Sequence, residues 1–159
     1  MKLFNRTPKA APVEIAEWVI IGEDDEWNCD IVGESKYQAA IGKAVARHGD
    51  ADSRSSGRLV LDLGQAAVQP EPTNAYDPLA LRVTIDGATV GYIAREDAER
   101  FAEVCRYMIR DVHGHALADA FAWRAAVDVR IGWLPGASDL MYGVKLSLPD
   151  GFWELDEGE

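Results

Sequence analysis

Leu81-Arg82-Val83-Thr84-Ile85-Asp86-Gly87-Ala88-Thr89-Val90-Gly91-Tyr92 is the segment on which the fold turns. Leu81, Val83 and Ile85 alternate with Arg82 and Thr84, the two-residue period of a half-buried strand. Asp86-Gly87 supplies the two positive-φ positions that a tight hairpin requires. Closed on that turn, the strands pair Ile85 with Ala88, Val83 with Val90 and Leu81 with Tyr92. All six then face one side, because a strand places every second residue on one surface. Tyr92 becomes a core or core-rim aromatic.

The flanking sequence supplies partners for this hairpin. Upstream, Leu59, Leu61 and Leu63 begin a strand reaching toward Gln69, with Gly64 marking a bulge or bend, and Pro70 and Pro72 end it. Residues 48–58, rich in Gly, Ser and Asp, read as a flexible loop. Tyr37, Ala40, Ile41, Ala44 and Val45 recur at helical spacing and predict a helix over 36–47. Asn28 to Val32 reads as a strand ending at Gly33, and Trp18 to Ile21 as a short one, although Glu14 to Ile20 would also tolerate a helical turn. Downstream, Ala98, Phe101, Val104, Cys105 and Met108 predict a second helix over about 95–111. Glu96 and Asp97 suit its first turn. Ala125, Val127, Val129 and Ile131 alternate with polar residues, as do Tyr142, Val144, Leu146 and Leu148 before Pro149. The class expected is mainly β with two inserted α-helices, a small OB-like or SH3-like β-barrel. Its domain spans 18–149, after a loosely ordered lead over 1–17 and before an acidic tail over 150–159.

The chain of 159 residues is 48% hydrophobic and 27% charged, with a net charge of −11. That suits one globular domain and excludes a disordered chain. Two cysteines, Cys29 and Cys105, point to a reducing, cytoplasmic compartment. No run reaches the ~18 apolar residues of a membrane span. The acidity sits in the flanks: six acids fall within 14–26 and five within 150–159. The stretch 28–149 holds 16 acids against 13 bases and is close to neutral.

Catalytic signatures are missing. Gly42-Lys43 lacks both the upstream glycine and the hydroxyl residue of a phosphate-binding loop. Gly33-Glu34-Ser35 and Gly136-Ala137-Ser138 each lack the closing glycine of a nucleophile elbow. His113 and His115, even with Cys105, have weak metal-ligand spacing, and solvated histidines past a helix end are the simpler reading. The expectation is no enzyme, no metal and no cofactor.

Three separated pieces carry more information. They are Ile31-Val32-Gly33-Glu34-Ser35-Lys36-Tyr37-Gln38, Pro70-Glu71-Pro72-Thr73-Asn74-Ala75-Tyr76-Asp77-Pro78-Leu79-Ala80-Leu81, and Val90-Gly91-Tyr92-Ile93-Ala94-Arg95-Glu96-Asp97-Ala98. In order and spacing they resemble the HIRAN domain, and Tyr142-Gly143-Val144-Lys145-Leu146 resembles the last strand of its bacterial members. The resemblance covers about residues 28–148. It implies an OB-like barrel. In helicase-like fork-remodelling ATPases this domain is fused to a motor and captures the 3′ end of single-stranded DNA. Bacteria and phages also carry it as a stand-alone chain, the type this sequence resembles.

Carried over by position, the resemblance places an end-reading set at Asn74, Tyr76 and Asp77. Arg95 matches a basic position that holds a phosphate. Lys36 and Tyr37 fall where the family presents an aromatic and basic pair, with Lys36 occupying the first ring position. The residue types suit the task. A carboxylate accepts a terminal hydroxyl in a charge-assisted bond, and a phenol ring stacks on any base. The function implied is a non-catalytic DNA-binding module for repair or fork processing, its partner a single-stranded DNA end, with a helicase or nuclease supplied in trans. Two further readings stand beside it. Asn74-Ala75-Tyr76-Asp77-Pro78 is also good turn chemistry, so the motif fits a structural clasp. The acidic flanks fit an interaction or adaptor barrel that binds no DNA.

Overall fold

A computed structural model describes residues 16–20, 22, 27–56, 58–61, 65–113, 123–133 and 141–155. Among the described residues nine strands form two sheets. The first holds β1 (Ala16–Ile20), β7 (Trp123–Val127), β4 (Ala66–Pro70), β5 (Leu81–Ile85) and β6 (Ala88–Tyr92), in the order β1-β7-β4-β5-β6. The second holds β2 (Cys29–Asp30), β9 (Tyr142–Leu146), β8 (Val129–Trp133) and β3 (Arg58–Leu61), in the order β2-β9-β8-β3. Pairing is antiparallel except between β1 and β7, which run parallel. The protein is therefore mainly β, and its ladders form two sheets and not one closed cylinder.

Among the described residues the sheets are joined at Asp128 and at a bridge between Val32 and Tyr92. Asp128 alone separates β7 from β8, so the alternating run read as one strand bends there and passes from one sheet to the other. On the opposite side Val32 and Tyr92 exchange both backbone hydrogen bonds, at 2.8 and 2.9 Å. Between the sheets lies a core of β-branched and aromatic residues, including Val83, Val90, Val127, Ile131 and Trp123, each at most 1% exposed. Helix α3 (Arg95–His113) covers it with Ala98, Phe101, Ala102, Val104 and Cys105, the one-face spacing expected of an amphipathic helix. Helix α1 (Gln38–His48) contributes Ile41 and Ala44. Among the described residues no helix is long and apolar enough to cross a membrane.

The hairpin turn is as the dipeptide predicts, with φ of 51° at Asp86 and 82° at Gly87. His48 and Arg47, at the end of α1, reach the Asp86 carboxylate at 2.8 and 3.3 Å and tie helix to turn. The expected register holds only for Ile85 and Ala88. An irregularity between Val83 and Thr84 pairs Val83 with Gly91 and Arg82 with Tyr92. The single step from Val83 to Thr84 faces two on β6, from Gly91 to Thr89, so Val90 is the extra residue of a β-bulge.

Other expectations are corrected. The presumed strand 59–69 is two strands in different sheets, β3 and β4, and Gly64 lies outside the described residues. Part of the presumed loop 48–58 is a helix, α2 (Ala51–Ser56). Asp50 starts it: its Oδ1 accepts the Ser53 N–H at 2.8 Å, and Ser53 Oγ accepts the Asp50 N–H at 2.8 Å. This is a reciprocal cap. The lead over 1–17 is outside the described residues except Ala16 and Glu17, which belong to β1. The chain also continues in a folded state past Pro149. A 3-10 helix, Phe152–Glu154, buries Phe152 against α3.

The cap predicts a pH effect. Hydrogen bonds from Ser53, its backbone N–H first, hold the Asp50 carboxyl below its usual value. A carboxyl depressed on folding adds stability above its unfolded pKa of about 4, and that contribution fades as pH falls through the lower folded value. Asp50→Asn should keep the cap and blunt this part of the acid sensitivity, whereas Asp50→Ala should lower stability at neutral pH too. Urea unfolding at pH 7 and pH 3 measures both. An Asp50→Ala chain as stable as the parent at pH 7 contradicts the cap.

Candidate functional site

The segment between β4 and β5 is folded by its own side chains. Glu71 N–H donates to Ala80 O at 2.9 Å and closes the loop. Asn74 Oδ1 accepts from the backbone N–H groups of Tyr76 and Asp77, at 2.9 and 3.0 Å. Asp77 Oδ1 accepts from Leu79 N–H at 2.9 Å. Two successive Asx turns thus fix the loop, the role that Asn and Asp play well because their short side chains mimic a backbone turn. The clasp reading of the motif describes this much of it. It does not describe Tyr76, which the loop holds 95% exposed, nor the exposed Leu79 beside it.

The opposite wall comes from the start of α1. Val32 is fixed by its bridge to Tyr92, and a 3-10 turn (Glu34–Lys36) leads from there into Tyr37. Gln38 anchors this entry: its Nε2 donates to Glu34 O and Tyr142 O, and its Oε1 accepts from Tyr142 N–H at 2.7 Å. Tyr37 and Tyr92 then lie tilted, with ring centroids 6.1 Å apart.

Between these walls is an open pocket of about 350 Å³. Of the residues singled out from sequence, Asn74, Tyr76, Lys36 and Tyr37 line it together, although they come from two segments far apart in the chain. Asp77 and Arg95 are not among its lining residues. They stand beside the loop as a pair, with Arg95 Nε 3.8 Å from Asp77 Oδ2. Arg95 is 84% exposed, so this contact is worth at most about 1 kcal/mol.

Glu71, Thr73 and Tyr92 also line the pocket and were not selected from the sequence. Glu71 Oε2 accepts from Tyr92 Oη at 2.7 Å and from Asn74 Nδ2 at 2.8 Å, joining the two walls at the floor. Burial first, then the neighbouring Tyr37 and Glu71, pushes the Tyr92 phenol up, so it stays a protonated donor. Glu71 was legible as part of the quoted Pro70–Leu81 segment. Tyr92, expected from the hairpin as a core or core-rim aromatic opposite Leu81, instead pairs with Arg82 and is half-buried with its hydroxyl at the pocket.

Cys105 is fully buried, and burial pushes its thiol up. His115 lies outside the described residues, as do Glu14, residues 23–26 and residues 156–159 of the acidic flanks. Chemically, the pocket offers three phenol rings, a carboxylate already holding two donors, and the Lys36 cation at the same site. Its volume is near the lower end of small-ligand sites, about 300–1,000 Å³. It suits one planar group with a polar edge, the rest of a longer ligand lying outside. No protein-family model, curated protein or solved structure matches the chain.

Proposed function

We propose that the protein is a non-catalytic module that captures the 3′ end of single-stranded DNA in this pocket, acting in repair or fork processing beside a helicase or nuclease supplied in trans. The observation that carries the reading is Tyr76, a large aromatic held almost fully in solvent by a hydrogen-bonded loop, at a pocket that contains Tyr37 and Tyr92. Loops whose only task is closure do not need an exposed ring. A base stacked on such a ring gains about 1–3 kcal/mol whatever its identity.

In this scheme the terminal base enters between Tyr76 and Tyr37. The terminal 3′-hydroxyl donates to Asp77 Oδ2, the oxygen that the loop itself leaves unused, and Arg95 and Lys36 meet the backbone phosphates. The resemblance to the HIRAN domain supports the same assignment. The two sheets are taken here as halves of an OB-like barrel, a reading favoured by the continuous β7-Asp128-β8 bend and by the Val32–Tyr92 bridge on the opposite side.

Fluorescence anisotropy on a short oligonucleotide carrying either a 3′-hydroxyl or a 3′-phosphate tests the proposal. The hydroxyl end should bind more tightly, because a terminal phosphate brings a dianion against Asp77. Tyr76→Ala should weaken binding by about 1–3 kcal/mol, roughly 5- to 150-fold. Equal affinity for the two ends would remove the end-capture reading, and no binding at low salt would remove DNA altogether.

A further inference from the structure

We infer that Glu71 is the base-reading group of the pocket: its open Oε1 selects a terminal base that presents an amino group and disfavours thymine. This rests on the reading of the pocket as a strand-end site and adds a base preference to it.

Two hydrogen bonds hold the carboxylate, and both end on the same oxygen. Glu71 Oε2 accepts from Tyr92 Oη at 2.7 Å and from Asn74 Nδ2 at 2.8 Å. The first donor belongs to β6 and the second to the loop, so the group is fixed from two sides. Oε1 accepts nothing among the described residues. Nor is it one of the polar atoms sealed from solvent without a partner. Glu71 lines the pocket, so Oε1 is an acceptor held in place, reachable and unspent. Joining the loop to β6 uses one oxygen and leaves the other for a ligand.

The type of ligand edge follows from what this floor offers. A carboxylate oxygen accepts and cannot donate. Tyr92 spends its proton on Glu71, which leaves its own oxygen with lone pairs alone. The floor therefore asks for N–H groups. Adenine N6, cytosine N4 and guanine N2 carry them. Where cytosine has its N4 amino group, thymine has the O4 carbonyl, and an acceptor then faces an acceptor. Oxygens brought together in this way lose their water without gaining a partner. Stacking on the tyrosine rings is tolerant of base identity, so a preference has to come from the edge. Because two bonds already orient Glu71, little freedom is lost when it meets the base.

Fluorescence anisotropy on strands of three thymidines followed by a varied 3′-terminal nucleotide measures the preference. Terminal cytosine against terminal thymine is one comparison. Terminal adenine against terminal purine, which is adenine without its amino group, is the other. Each pair stacks nearly alike and differs at the edge. Cytosine should bind roughly tenfold more tightly than thymine, and adenine roughly tenfold more tightly than purine. Glu71→Gln keeps an oxygen for Tyr92 and Asn74 and sets an amide NH2 in place of Oε1. Its preference should reverse toward thymine, whose O4 accepts, a result that partial unfolding cannot imitate. If no strand binds, the pocket reading falls and the base preference with it. If strands bind but either pair shows equal affinity in the unaltered protein, end capture stands and the role of Glu71 is overturned. An unchanged preference for cytosine in a folded Glu71→Gln protein overturns it as well. Should that variant fail to fold, the two comparisons on the unaltered protein decide alone.

Discussion

Phe152→Ala is expected to lower the unfolding free energy by about 3–5 kcal/mol, a large share of the roughly 5–15 kcal/mol that holds a domain together. By charge alone, the residues after Pro149 resemble a solvated acidic tail, and truncating a side chain in such a tail shifts stability by no more than about 0.5 kcal/mol. The packing predicts otherwise. The Phe152 ring is 1% exposed and lies 4.9 Å from Phe101 and 5.2 Å from Trp153, centroid to centroid. Arg100 straps the segment to α3, its Nε donating to Trp153 O at 2.8 Å and its terminal nitrogen to Leu155 O at 2.7 Å. Removing the ring leaves a cavity between helix and strap that neither can close without giving up those bonds. Urea titration should show a lower midpoint with an unchanged slope. A midpoint shift equivalent to less than about 0.5 kcal/mol would return the segment to the status of a tail.

Local chemistry was legible in the sequence wherever one short stretch decides the outcome. Asp86-Gly87 dictates a turn with two positive φ angles, and the spacing of Phe101, Val104 and Cys105 dictates the buried face of α3. The Asp50-to-Ser53 cap is a pattern of the same kind, hidden because Gly49, Ser55, Ser56 and Gly57 outweigh it in composition. Legibility ends where distant segments decide. Nothing in the alternation of residues 123–133 says that Asp128 hands the chain from one sheet to the other, because both halves bury the same face. The candidate site divides in the same way. Asn74, Tyr76 and Tyr37 were found through motif order, since their types are distinctive. Glu71 and Tyr92 were passed over because an acid after a proline and an aromatic in a strand have common structural uses. Their convergence requires the loop and β6 to be adjacent, which only the fold supplies.

Gly91→Ala is expected to cost about 3 kcal/mol and to dismantle the pocket, although residue 91 is not part of it. A Cβ at this position would lie 2.6 Å from Ile31 Cδ1 and 2.8 Å from Val32 O. The isoleucine end can swing away, but the carbonyl cannot, because it accepts the Tyr92 N–H in the bridge between the sheets. Overpacking costs about 1–3 kcal/mol, and each bridge hydrogen bond lost adds about 0.5–1.5. The functional consequence follows from what the bridge supports. Val32 leads directly into the turn that presents Lys36 and Tyr37, while Tyr92 supplies the hydroxyl that fixes Glu71. Separating the two moves one wall of the pocket away from the other. Under the proposed function, the variant should therefore bind oligonucleotide far more weakly than its remaining folded fraction accounts for, measured well below its melting temperature. Hydrogen exchange locates the damage: protection of the Val32 and Tyr92 amides should fall while that of α3 persists. Protection retained at both amides would show that the chain accommodates the methyl group and that the bridge does not hold the site together.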